Sequence, residues 1–202
     1  LTSAVDSVSL TLGSVGSGSG ITALDATVID LDRDDSGSID TATIGLSGSN
    51  YVNLEGGTGL TGLTLTGGTS DDNAVVLVSA TTLLNSLDAS ATDGTNEYTV
   101  SGRSDITIKG GAGDDTFIMG TSLSNNDSFI GGSGTDTVTA TLASSSTRKL
   151  NTSGMEASEI TMNTDGARVD ASASDITTHT FLASADVSGS IINLMSDSTI
   201  NL

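Results

Sequence analysis

The chain has 202 residues, and 25 acidic side chains against 6 basic ones give it a formal charge of −19. A polyanion of this kind is repelled by nucleic acid and by anionic membrane surfaces, which counts against both as partners. There is no cysteine, so disulfides and thiolate metal sites are excluded, and no apolar run approaches the ~18 residues of a spanning helix.

Residues 1–20 read as an N-terminal strand and a Gly/Ser linker. Val8, Leu10 and Leu12 alternate along "SVSLTLG", and "VGSGSG" follows as a linker or surface loop. Residues 21–100 read as a β-rich segment. It contains the acidic stretch "DLDRDDSGSID", Asp30 to Asp40. Counted from Asp32, the oxygens of Asp32, Asp34, Ser36, the Ser38 main chain and Asp40 fall as in the front of an EF-hand loop, with Gly37 at the bend. Thr43 stands where the bidentate Glu belongs, and the flanks "ATVID" and "TATIGL" look like strands. Two readings stay open: a calcium loop between strands, and a solvated acidic turn.

Further along, "LTGLTLTG", "SDITIKG" and "EITMNT" alternate apolar and polar residues and end on Gly, Asn or Asp, the pattern of short strands. "SATTLLNSLDAS" (Ser79 to Ser90) is the best helical candidate, through Leu83, Leu84 and Leu87, and gives a few turns at most.

Residues 101–140 carry the chemistry. "GGAGDDTFI" (Gly110 to Ile118) and "GGSGTDTVT" (Gly131 to Thr139) both fit the nonapeptide G-G-x-G-x-D-x-U-x, with U a large apolar residue. Between them "SLSNNDSFI" (Ser122 to Ile130) keeps the Asp and the aromatic in register. Gly111, Gly113, Gly132 and Gly134 let the main chain turn so that carbonyls converge, and Asp115, Asp127 and Asp136 bring carboxylates to the turn. Such hard oxygen donors suit Ca²⁺ and not a soft metal. Phe117, Phe129 and Val138 then start short strands. "GGTSDDNAV" (Gly67 to Val75) shares the glycines and the Asp71-Asp72 pair, which makes Asp72 a further candidate ligand and a plain corner the alternative. The Gly pairs at 67, 110 and 131 are spaced roughly two to one, as stacked coils require. The fold class expected is therefore all-β, a parallel β-helix or β-solenoid with irregular rungs, because each rung can bury its apolar residues against its neighbours.

Residues 141–202 read as further rungs of the same domain. Arg148-Lys149 reads as a solvated loop or as a pairing site for an acidic neighbouring subunit. His179, the one histidine, is expected on a strand surface. Glu55, Glu97, Glu156 and Glu159 are expected to be solvated. With no Cys, one His, no G-x-S-x-G elbow and five aromatic residues, no catalytic set can be assembled, so the chain is not expected to be an enzyme. It opens at Leu1 without a Met and stops inside "STINL", so it is read as a piece of a longer polypeptide, with any targeting signal expected outside it.

The nonapeptides resemble those of the RTX (repeats-in-toxin) family. "TSGMEASEITMNTDGA" (Thr152 to Ala167), which follows the block, is similar to an element of RTX-type bacterial surface-layer (S-layer) proteins, the Caulobacter-like ones. That resemblance implies type I secretion, folding by extracellular calcium and self-assembly at the cell surface. Its implied partners are copies of the same chain in a lattice or filament, and cell-surface polysaccharide; direct membrane insertion is not implied. A segment of a large RTX adhesin and the calcium-binding tail of a secreted enzyme remain as alternatives.

Overall fold

The computed structural model describes residues 7–13, 27–30, 39–48, 50–55, 59–67, 73–78, 83–100, 102, 105–183 and 186–202. Its strands are β1 (Ser7–Gly13), β2 (Thr27–Asp30), β3 (Thr41–Ser47), β4 (Asn50–Glu55), β5 (Gly62–Gly67) and β6 (Asn73–Val78). Then come β7 (Ser86–Thr92), β8 (Thr95–Val100), β9 (Thr107–Lys109), β10 (Thr116–Ile118), β11 (Ser128–Ile130) and β12 (Thr137–Leu142). The last are β13 (Thr147–Ser153), β14 (Ala157–Met162), β15 (Ala167–Ala173), β16 (Thr178–Ala183), β17 (Gly189–Ile192) and β18 (Thr199–Asn201).

Odd-numbered strands form one sheet and even-numbered strands the other, each nine-stranded and in chain order. Pairing within both is parallel throughout, for example β7 on β9, β9 on β11 and β10 on β12. The chain thus passes from one sheet to the other and back, adding one strand to each per rung. This is a parallel β-solenoid, as the spacing of the glycine pairs requires. Ser86 pairs with Thr107, Thr107 with Ser128 and Thr116 with Thr137, each 21 positions apart. Gly67 pairs with Thr92, whose carbonyl accepts the Ala112 N–H, so the Gly67 corner lies two rungs before the Gly110 corner. Pairing continues unbroken across residue 101, through β7 on β9, and across residue 141, through β12 on β14.

The core follows from the two-residue period of a strand. Leu63 and Leu65, Leu87 and Ala89, Ile108, Phe129, Leu150 and Val169 point inward from one sheet. Val52 and Leu54, Tyr98 and Val100, Phe117, Val138, Ile160 and Met162 meet them from the other. The rings of Tyr98 and Phe117 stack at 5.5 Å, and those of Phe117 and Phe129 at 6.1 Å. The largest fully buried side chains are therefore gathered in and next to the rungs that carry the nonapeptides, where β10 and β11 have three residues each. Outward positions are mostly small or β-branched: Thr137, Thr139 and Thr141 on β12, and Thr178 and Thr180 on β16, are only half-buried.

Two expectations are corrected. The described part of the Ser79–Ser90 stretch is not helical: Leu83 lies in a turn and β7 starts at Ser86. Leu87 pairs with Leu63 on one side and Ile108 on the other, and that buried apolar column outweighs a weak helical preference. His179 is not on the surface. It shares the inward phase of β16 with Phe181, stacks on that ring at 6.3 Å and is fully buried. Its Nδ1 lies 2.8 Å from Ser158 Oγ, and burial holds its pKa below the ordinary value.

The aromatic column gives the first testable outcome. Phe117 is fully buried between Tyr98 and Phe129. Phe117→Ala is expected to cost about 3–5 kcal/mol of stability, read from urea denaturation, because the cavity cannot close between rungs held by parallel pairing. An unchanged midpoint would show that these rungs are not packed as described.

Candidate functional site: an acidic ladder at one corner

Where the chain crosses from an odd strand to the next even one, the corners stack: residues 110–115 lie below 131–136, and these below 154–156. The strand pairing requires this, since β10, β12 and β14 are neighbours. A Cβ on Gly131 would collide with the Gly154 carbonyl oxygen and with Asp136 Oδ2; one on Gly110 would collide with the Gly131 carbonyl oxygen and Asp115 Oδ2. Only a bare Cα lets a carboxylate and the carbonyl of the next rung crowd one point. Gly132 and Gly134 likewise stack against the carbonyls of Gly111 and Gly113, which in turn face Thr92 and Gly94.

The acidic side chains form a ladder across the rungs. Asp115 Oδ1 accepts the Asn96 main-chain N–H at 2.9 Å and its Nδ2–H at 2.8 Å. Asp136 Oδ1 accepts the N–H of Asp115 at 2.8 Å, and Glu156 Oε2 accepts the N–H of Asp136 at 2.7 Å. Each carboxylate therefore serves a main-chain donor of the rung before it. Glu156 was expected to be solvated; it is exposed, yet it is the last described member of this ladder. Neither Asn96 nor Glu156 was picked out by sequence. The available signal was rung spacing, since they lie 19 positions before Asp115 and 20 after Asp136.

The two full repeats differ at one atom. Asp115 Oδ2 accepts the Gly111 N–H at 2.8 Å. Asp136 Oδ2, its equivalent, is buried with no partner, as is Asn96 Oδ1. The corresponding donor would be Gly132, but Gly132 has φ +118° and Gly134 φ +127°, whereas Gly111 and Gly113 stay out of the left-handed region. Burial pushes the Asp136 carboxyl up to about 6, helped by the negative charges of Asp115, Glu156 and Asp114 and opposed by the Asp115 N–H. Burial also raises Asp115, against the lowering effect of hydrogen bonds from Gly111 and Asn96.

Asp127 is not brought to this corner. One nonapeptide carries the chain to the opposite sheet, so the first and third copies stack while the middle one lies at the other corner. There Asp127 is buried, with Oδ1 accepting the Ile106 N–H at 3.0 Å and Oδ2 the Ser124 N–H at 2.7 Å. Both oxygens are occupied as turn caps. Around it Ser124 Oγ and Asn126 Nδ2 donate to Asp105 Oδ1, each at 3.1 Å.

Asp32, Asp34, Ser36, Ser38 and Asp72 lie outside the described residues. Asp40 is described: its carbonyl accepts the N–H groups of Thr61 at 2.9 Å and Gly62 at 3.3 Å, joining its corner to the next rung. The flanks of the acidic loop are strands, β2 and β3, as read from sequence.

Among the described residues, no three His, Cys, Asp or Glu side chains gather closely enough to hold a metal by themselves. A cation at the ladder would have to draw on main-chain oxygens. The donor chemistry at Gly131 fits one: an unpartnered carboxylate oxygen and the Gly154 carbonyl oxygen both crowd the space beside this glycine, and both are hard oxygens. Set against known protein families, curated proteins and solved structures, the chain finds no match. The site is therefore judged by its geometry.

The raised Asp136 pKa has a definite sign. With a folded value near 6 and an ordinary value of 3.8, the folded state holds more protons than the unfolded state between those limits. Without metal, this group makes stability fall as pH rises from about 4 to about 6, and adds no further slope above that. Thermal melts of chelated protein, held folded by a stabilising osmolyte, are expected to show a smaller fall over this range in Asp136→Asn than in the parent. A parent whose slope matches that of the variant would remove the buried carboxylate from the argument.

Proposed function

We propose that this chain is a structural component of a bacterial cell-surface layer, exported before folding and folded by calcium outside the cell. The observation that carries the reading is the buried, unpartnered Asp136 Oδ2, placed beside the Gly154 carbonyl in a stack of acidic corners. A neutral core would not retain such an atom. Left unserved, a buried carboxylate oxygen is costly, and a dication offsets that cost.

Asp136, with the main-chain carbonyl of Gly154, would hold the ion, while Asp115, whose oxygens accept from Asn96 and Gly111, ties the rung behind it. When bound, calcium supplies positive charge and oxygen coordination at the corner. The residues themselves do the rest. Asp115, Asp136 and Glu156 stand one per rung and repel each other when unneutralised, which adds to the self-repulsion of a chain at −19. In a calcium-poor compartment that repulsion keeps the rungs apart and the chain exportable. Outside, neutralising the ladder lets Phe117, Phe129 and Val138 close the core, so binding free energy becomes folding free energy. The buried His179, held against Ser158, and the Thr-covered outer strands fit a scaffold better than a reaction centre. A layer subunit needs a repeating, stiff body of this kind.

Chelation tests the proposal. Excess EDTA is expected to abolish the β-rich circular dichroism or dissolve assembled material, and added Ca²⁺ to restore it, with sheets or filaments visible by electron microscopy. Asp136→Asn should raise the calcium concentration needed for folding several-fold, while Asp127→Asn, at the other corner, should lower stability without that shift. Spectra and particle size that ignore EDTA would defeat the reading.

A further inference from the structure

Arg148 stands in the inward phase of β13. It pairs in register with Val169, a fully buried core residue, and Leu150, two positions on, is also fully buried. Its side chain is half-buried, and among the described residues it makes no hydrogen bond or ion pair; the charge pair seen there joins Lys109 to Asp88 at 2.8 Å. Arginine is rarely taken out of water unless something answers its charge. This chain has 25 acidic residues to choose from, and none of the described ones is placed there.

Arg148 instead lines a cavity of about 130 Å³ at the corner opposite the ladder. The hydroxyl residues Thr121, Thr141 and Ser144 share the lining, and the buried Leu123 and Leu142 form its apolar wall. A planar fork of N–H donors beside hydroxyls, against a low-dielectric wall, matches a planar two-oxygen anion. The space suits one such group. We propose that this pocket binds a carboxylate group, supplied by a free small acid or by an Asp or Glu side chain of a second copy of the chain. The inference is independent of calcium at the ladder.

Acetate is the probe, added to the full chain folded in calcium-containing buffer and followed by the NMR shifts of the Leu142 and Ser144 main-chain N–H groups, which line the pocket and persist in every variant. A saturable shift is expected, with affinity reduced about tenfold or more in Arg148→Lys, which lacks the fork, and lost in Arg148→Gln. Should Arg148→Gln fail to fold by circular dichroism, Thr141→Val serves as the second variant, with weakened acetate binding expected. Sedimentation at rising protein concentration separates the sources. Association that acetate competes away, and that Arg148→Lys weakens, assigns the carboxylate to a second copy. Saturable acetate binding without association assigns it to a free acid. No saturable shift and no acetate-sensitive association, or sulfate bound as tightly as acetate, overturns the proposal.

Discussion

A side-chain carboxylate accepting the main-chain N–H of the rung before it is the contact on which the repeat corner depends. Parallel strands satisfy their own donors, but a corner lies outside the ladder of strand hydrogen bonds and leaves N–H groups exposed to a dry interior. Asn96, Asp115 and Asp136 offer those groups to the next rung, and Asp115, Asp136 and Glu156 receive them at 2.7–2.9 Å. The acceptor must be short and rigidly placed, which selects Asp at the inner rungs. It must also approach main chain closely, which selects Gly at positions 110 and 131. The nonapeptide is thus a hydrogen-bonding unit before it is a metal motif.

That constraint couples the corner to the core. Asp115 and Phe117 are two positions apart, as are Asp136 and Val138, so fixing the carboxylate fixes the phase of the strand that follows. A slip of one residue would turn Phe117 outward and bring Thr116 into the stack between Tyr98 and Phe129. The corner acts as a register pin where strands of three residues, such as β10 and β11, are too short to set register by apolar alternation alone. Longer strands, such as β14 and β16, pair over six positions and set register through their own apolar alternation as well.

What the sequence showed, and what it hid, follows from the same geometry. The solenoid was legible because glycine pairs at 67, 110 and 131 recur at one and two rung lengths, and because Leu63, Leu87 and Ile108 recur in strand phase. Asp115 and Asp136 were legible because the repeat is local. The position of Asp127 was not: its nonapeptide looks continuous with its neighbours, and only the chain's crossing between sheets places it at the opposite corner. His179 was misplaced for a related reason. In "ITTHTFL" either phase of alternation is chemically acceptable, and the choice is made by Ser158 one rung earlier, 21 positions away. Glu156 escaped notice because its role is defined by the N–H of Asp136 and not by any residue beside it.

The two full repeats also show that one motif can rest in two states. In the first, the Gly111 N–H turns to Asp115 and both carboxylate oxygens are served by protein donors. In the second, Gly132 takes φ +118° and leaves Asp136 Oδ2 unserved. An amide and a cation compete for the same lone pairs, so a repeat closed by its own glycine has given up an oxygen that the other repeat keeps. The peptide at the second glycine is the element that can choose. Because only glycine moves between these φ values at little steric cost, its presence at both positions permits a corner to hold together through hydrogen bonds in one rung and to leave a carboxylate oxygen open in the next. A solenoid with both kinds of corner is partly ordered by its own donors, and under the proposed reading ions would set the rest of its stability.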